Sequence, residues 1–265
     1  GQPMAHPPVI ACFKWGKGYP VRDTNILFRA LTDLMSCPFT FVCLTDDTAG
    51  LDDGITTLPL PDFRLERDHW VPGMWPKLAI FKPGLFADGT PILMIDVDVV
   101  VVRDLAPLFE RIRTLPGLHV IKDWPNLSER VLPWRSAAAR KSNSSVVGFM
   151  SGTQHQIWDR FHDAGWDTLQ PLVNDQDFIH ETATDRHHWP RDWVLSFKKS
   201  LVWHAPLGRA LRPAGPGKAF VVAFHGAPNP EDLAQPYGLR WGTRKHFGHA
   251  PVPWVADYLA RYGDR

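Results

Sequence analysis

The run Pro91-Ile92-Leu93-Met94-Ile95 leads without a polar break into Asp96-Val97-Asp98 and continues as Val99-Val100. An apolar run with no alternation reads as a strand covered on both faces, which demands packed layers on each side of a sheet. Two carboxylates set into such a run are costly to bury unless something cationic meets them. Either they stand in a solvated turn at the strand end, or they hold a cation. Their hard oxygens suit Mg²⁺ or Mn²⁺.

Other segments support the layered reading. Val9–Phe13 and Phe39–Leu44 read as buried strands, Ile55–Leu60 as a short one, and Asn25–Leu34 has helical apolar spacing. A helix is expected over Met74–Phe86, interrupted near Pro83-Gly84. Further on, His119–Lys122, Ser145–Met150 and Ala219–Phe224 read as strands. Gln154–Gly165, Asp175–Thr182 and Val255–Tyr262 read as helices, and the Pro-rich stretch 205–217 as a surface loop. Strands alternating with helices predict an α/β fold with a largely parallel sheet. Ligands collect at the carboxyl ends of such strands, where Asp46, Asp47, Asp96 and Asp98 fall. With no repeat or linker in view, residues 8–265 are expected to form a single domain with an irregular C-terminal part. Residues 1–7 read as a disordered tail or a cloning remnant.

A net charge of +1 offers no global field for nucleic acid or an anionic membrane, so any useful basic character must be local. Cys12, Cys37 and Cys43 are too few and too irregularly spaced for a disulfide framework or a zinc site, and reduced thiols favour the cytoplasm. No apolar stretch approaches a membrane span, and no signal peptide is visible. The 12 tryptophans are unusual. Trp15, Trp75, Trp134 and Trp203 stand outside the periodic runs, either as platforms for flat rings and sugar faces or as core cover.

His225 also follows a buried run, and Gly226 after it permits close backbone approach to a ligand. A neutral imidazole is a suitable third protein ligand beside Asp96 and Asp98, although a hydrogen-bonded strand-end histidine reads the same way. Asp175 precedes an apolar helical stretch, so it suits a helix N-cap.

Several ordered motifs together resemble the GT-A glycosyltransferases, especially bacterial enzymes similar to glycosyltransferase family 8 and its relatives. Phe13-Lys14-Trp15-Gly16 with Tyr19 resembles the first strand and nucleotide-binding loop, and Phe41–Asp47 the second strand. Trp75-Pro76-Lys77-Leu78, then Asp96-Val97-Asp98, then Leu105–Phe109 is the nearest match. Asn143-Ser144-Ser145-Val146 is similar to an Asn-Ser motif near the transferred sugar. Asn174-Asp175-Gln176-Asp177 is similar to an Asp-Gln pair, and Phe224–Pro230 to a late His-Gly signature. The motifs span roughly residues 8 to 230. Where that signature usually carries a diphosphate lysine, this chain has Asn229, which leaves Lys77, Lys198 or Lys199 to compensate.

The resemblance implies a GT-A, Rossmann-like sheet flanked by helices and a metal-dependent transfer, retaining by family habit, from a nucleotide-sugar donor such as a UDP-sugar. The acceptor would be a glycan or lipid-linked saccharide, in a pathway such as bacterial surface polysaccharide synthesis. Nucleic acid is not an expected partner, and peripheral membrane contact is open. It implies Mn²⁺ or Mg²⁺ on Asp96, Asp98 and His225. Donor contacts would come from Trp15, Tyr19, Asp46, Asp47, Lys77, Asp96, Val97, Asn143, Ser144 and Gly226. Asp175 and Gln176 would stand at the reacting sugar. Two rival readings are a haloacid-dehalogenase-like phosphatase, which also uses Asp-x-Asp after a strand, and a non-catalytic nucleotide- or sugar-binding module. Two sequons, Asn126-Leu127-Ser128 and Asn143-Ser144-Ser145, read as coincidental.

Overall fold

The computed structural model describes residues 6–63, 65, 69–70, 74–124, 142–169, 175–203, 207 and 211–264. Trp134, Asn174 and the Asn126 sequon lie outside the described residues, as does part of the 205–217 stretch.

The main sheet has seven strands: β1 (Val9–Lys14), β2 (Thr40–Thr45), β3 (Thr56–Leu58), β4 (Pro91–Ile95), β6 (Leu118–Lys122), β7 (Ser142–Met150) and β8 (Arg186–His188). Their order is β3-β2-β1-β4-β7-β6-β8. β1 to β4 run parallel, β7 runs against β4 and β6, and β8 is parallel to β6. The sheet is therefore mostly parallel with one reversed strand. A second sheet joins β5 (Val99–Val101), β9 (Val194–Ser196) and β10 (Val221–Ala223), and a hairpin pairs β11 (Arg240–Gly242) with β12 (Phe247–His249).

Both faces of the main sheet are covered, which is why its central strands need no polar alternation. One face, through Ala11, Phe13, Ile92 and Met94, packs on a 3₁₀ helix (Trp75–Phe81), α3 (His155–Asp163) and α5 (Asp175–Thr182). The other, through Ile10, Cys12, Leu93 and Ile95, packs on α1 (Val21–Leu34) and α2 (Ala106–Thr114). The short α4 (Trp166–Leu169) follows α3, while α6 (Pro253–Tyr262) closes the chain over the second sheet. Cys12 and Cys43 face each other in the β1–β2 register, and all three cysteines are free.

The helix expected over Met74–Phe86 is instead a seven-residue 3₁₀ helix, entered through Met74 at φ 55°. Pro76 removes a backbone donor from the first turn and Pro83 stops the chain from continuing. All seven of its residues are buried, Lys77 among them. Five strands not foreseen, β5, β8, β9, β11 and β12, are three residues each, too short for periodicity to register.

Candidate active site

Asp96 follows the last residue of β4, where its backbone N–H donates to Ser145 O on β7 at 3.0 Å. Two residues on, Asp98 O accepts from Phe224 N at 3.0 Å as the chain enters β5. Asp96-Val97-Asp98 therefore bridges the two sheets. The β5–β10 register sets Ala223 opposite Val99, and His225 follows two residues later. Antiparallel pairing thus brings the backbone of the 96–98 segment beside that of Phe224, one residue before His225.

The most heavily committed charge in the site is Lys77, 5% exposed on the 3₁₀ helix. Its Nζ lies 2.8 Å from Asp96 Oδ1 and 3.7 Å from Asp175 Oδ2. It also donates to Ser144 O and meets Ser144 Oγ, each at 3.1 Å. Ser144 Oγ in turn donates to Asp175 Oδ2 at 2.8 Å. Burial pushes the lysine down, but the Asp96 and Asp175 carboxylates more than reverse this and hold it above its ordinary value. Asp175 is 1% exposed, and burial raises its carboxyl against the opposing pull of Lys77 and Ser144. Asp98, half-buried, is pushed up to about 7 by burial first and by the Asp96 charge second.

A cleft beside this network is lined by Trp15, Tyr19, Met74, Lys77, Asp96, Val97 and Asp98, over Phe13, Met94 and Ile95. Tyr19 meets Trp15 edge-on with ring centroids 5.4 Å apart, and its hydroxyl is pushed up to about 12 by burial and by Asp96. Trp15 is buried, so it serves as wall and core together. Met74, which reaches the Tyr19 hydroxyl through its sulfur at 3.7 Å, was not singled out from the sequence; an isolated methionine carries no signal.

The remaining sequence candidates lie around the cleft. Asp46 accepts from Gly16 N at 3.1 Å, tying the end of β2 to the loop after β1. Asp47 accepts from Ala49 N at 3.0 Å in a turn. Asn143 Oδ1 accepts from Ser145 N at 2.8 Å, and Gln176 is half-buried beside Asp175. His225 stacks on Trp124 with the rings 5.3 Å apart and 4° from parallel, and its Nε2 lies 2.7 Å from Ser196 Oγ. Burial, then Lys198 and Lys199, lower it to about 4, so the ring is neutral at pH 7. Ser196 sits on β9, a strand with no sequence signature. Gly226 has φ +74°, and a Cβ there would meet Lys198 Nζ at 3.3 Å.

Two carboxylates and a neutral imidazole fit the donor chemistry of Mn²⁺ or Mg²⁺. Crowding fits too, since burial and Asp96 already disfavour charge on Asp98. Among the described residues, however, no three His, Cys, Asp or Glu side chains converge on one point. The backbone just before His225 lies beside Asp98, while the imidazole is turned to Ser196.

At the level of sequence the chain matches no family model and no curated protein. Solved structures do match. The galactosyltransferase LgtC, in complex with donor and acceptor sugar analogs, gives a TM-score of 0.54 at 16% identity, covering 84% of this chain and 88% of that one. The bifunctional glycosyltransferase WbbM gives 0.60 at 12% identity, covering 99% of this chain and 50% of that one. Mouse xyloside xylosyltransferase 1 gives 0.50 at 11%, covering 82% and 97%. Three strands precede β4, the strand leading into Asp96, unlike the opening nucleophile strand of a haloacid-dehalogenase-like phosphatase. Mixed sheet, helical layers and these neighbours agree: the chain has the GT-A fold of the glycosyltransferases.

Proposed function

We propose that this protein is a metal-dependent glycosyltransferase that moves a sugar from a nucleoside-diphosphate sugar, read as a UDP-sugar, to a hydroxyl of a glycan or lipid-linked saccharide. The observation carrying this reading is the buried Lys77–Asp96–Ser144–Asp175 network beside Asp98, in a cleft walled by Trp15 and Tyr19. Asp96, Asp98 and His225 would hold the metal. When bound, a divalent cation neutralises the charge that grows on the leaving diphosphate. Trp15 and Tyr19 offer a flat, largely apolar wall for the base. Bacterial surface polysaccharide synthesis is the pathway suggested by the resemblance.

The diphosphate also needs a direct cation, and the candidates divide cleanly. Lys77 is committed to two carboxylates, and Lys199 faces Asp123 at 3.6 Å. Asn229 caps a 3₁₀ helix (Pro230–Ala234) in a reciprocal capping box with Asp232. Lys198 remains, on a π-helical turn (Phe197–Leu201), its ammonium beside Gly226. Burial and Lys199 lower its pKa, as befits a cation short of anions. Lys198→Ala is expected to lower kcat/KM about tenfold or more, through kcat as well as KM, because a contact to the leaving diphosphate strengthens as charge develops there. Inhibition constants check the assignment: affinity for UDP should fall and affinity for UMP should hold.

Asp175 is enclosed and bonded to Ser144 and Lys77, an unsuitable position for a base that must reach an acceptor hydroxyl. This supports retention of configuration, with Asp175 orienting Lys77 and the donor sugar. Thermal unfolding with UDP-glucose, UDP-galactose and GDP-mannose, each with and without Mn²⁺, tests the whole reading. Saturation near 100 Kd adds about 2.7 kcal/mol, a rise of roughly 5–10 °C for a chain of this size. A rise seen only with Mn²⁺ is expected. If the nucleotide stabilises equally without metal, the binding-module reading takes its place.

A further inference from the structure

The carboxyl ends of β4, β6 and β8 share one edge of the main sheet, since these strands run in one direction and β7 opposes them. Ligands collect along such an edge. The donor cleft takes only the part at β4. Between the ends of β6 and β8 and the π-helical turn lies a second cavity, of about 140 Å³. Trp124 and Trp189 are buried in its wall, and their indole N–H groups donate to Val194 O and Val146 O, each at 3.0 Å. These two rings therefore offer a ligand only apolar surface. Lys122, His188 and Arg191 supply the polar side.

The charge on that side is positive and largely unanswered. Lys122 and Arg191 are exposed, and neither forms an ion pair among the described residues. Asp123 also lines the cavity, but Lys199 Nζ lies 3.6 Å from its carboxylate. Asp192, next to Arg191 in the chain, is exposed and stands outside the wall. Burial lowers the His188 imidazole first, and the charges that lower it further are those of Arg186, Lys122, His180 and His187. Cations gathered in a concave wall raise the local concentration of anions there.

The cavity adjoins the candidate active site. Trp124 carries the stacked His225 ring, and Ser200 in the wall belongs to the same turn as Lys198. From β4 to β6 is two strand spacings, roughly 10 Å. We infer that this pocket holds an oxyanion borne by the acceptor, a phosphate or carboxylate on the saccharide whose hydroxyl receives the transferred sugar. The inference rests on the glycosyltransferase reading above. Arg191 suits bidentate recognition of either group, and Lys122 adds a point charge. The tryptophan edges suit the apolar face of a sugar ring. A cavity of this size admits one such group and part of its ring, whereas a nucleotide or a polypeptide would not fit.

Titration of the full chain with glucose 6-phosphate, glucuronic acid and glucose, followed by saturation-transfer NMR without donor or metal, tests the inference. Binding of the two anionic sugars and not of glucose is expected. The tighter of the two identifies the acceptor group as phosphate or carboxylate. Lys122→Ser with Arg191→Ser should weaken this binding about tenfold or more, the scale of losing a charged hydrogen-bond partner. Circular dichroism and the thermal shift given by UDP with Mn²⁺ should stay unchanged in that variant. Equal binding of glucose, no saturable binding of either anionic sugar, or full retention by the variant overturns the proposal. Displacement of the bound sugar by UDP with Mn²⁺ also overturns it, since the anion would then sit in the donor cleft. Failure of the donor reading shows separately, as the absence of Mn²⁺-dependent UDP binding.

Discussion

Lys77→Met is expected to destabilise the protein by about 3–5 kcal/mol at pH 7, the usual cost of removing one partner from a buried ion pair. Methionine nearly preserves the length and fills the space, so the loss is of charge and not of volume. It leaves Asp175, 1% exposed, and Asp96 facing each other with no cation between them. The pH dependence identifies the cause. Burial already raises Asp175, and Lys77 is the largest influence holding it down. Without the lysine its folded pKa rises further above the unfolded value. A carboxyl raised on folding costs nothing while protonated in both states; its cost appears as pH rises through the unfolded pKa, about 4, and grows up to the folded one. The deficit should therefore shrink as pH falls from 8 to 5, and Asp175→Asn added to Lys77→Met should restore more than half of it. Urea unfolding followed by tryptophan fluorescence measures both. An equal deficit at pH 5 and 8 would mean that packing, not charge, is responsible.

Asp98→Asn should do two opposite things. In the presence of a chelator, the variant is expected to be more stable than wild type by roughly 1–2 kcal/mol at pH 8, after discounting for partial solvent screening. The sign follows from the direction of the shift. Asp98 is raised from 3.8 to about 7, so wild type loses stability as pH climbs through that interval, whereas an amide has no proton to lose. The two proteins should converge near pH 4. With Mn²⁺ and donor present, the same substitution should lower kcat/KM by about 10²-fold or more, the scale of losing an electrostatic contact to a developing charge. A variant that is firmer and less active cannot owe its inactivity to unfolding. Unchanged Mn²⁺-dependent donor affinity in Asp98→Asn would remove Asp98 from the metal site.

Much of the architecture was legible because burial on both faces leaves a plain mark. β1, β2 and β4 are unbroken apolar runs, and the strand Pro91–Ile95 has the expected limits. α5 likewise begins at Asp175 and ends at Thr182 as its spacing predicts. The second sheet was less legible. Its strands are three residues long, and β5 was hidden in the continuation of the Asp-x-Asp run. The tightening of Trp75–Phe81 into a 3₁₀ helix depends on packing from every side, which a helical period does not report.

The site divides in the same way. Asp96, Asp98 and His225 stood out from the residues alone, as polar groups at the ends of apolar runs, whereas Lys77, Ser144 and Asp175 were marked by the family resemblance. Which partner each one takes was a tertiary matter. Lys77 and Asp175 are 98 positions apart in the chain and meet only because the 3₁₀ helix and α5 pack on one face of the sheet. β10 pairing with β5 brings the backbone just before His225 beside Asp98, while the ring itself is taken up by Ser196 and Trp124. The lysine missing at Asn229 shows the division most clearly. Sequence registered the absence and offered Lys77, Lys198 and Lys199; only the tertiary structure set Lys77 and Lys199 against carboxylates and Lys198 beside Gly226, because an electrostatic role requires a charge at a place and not at a position along the chain.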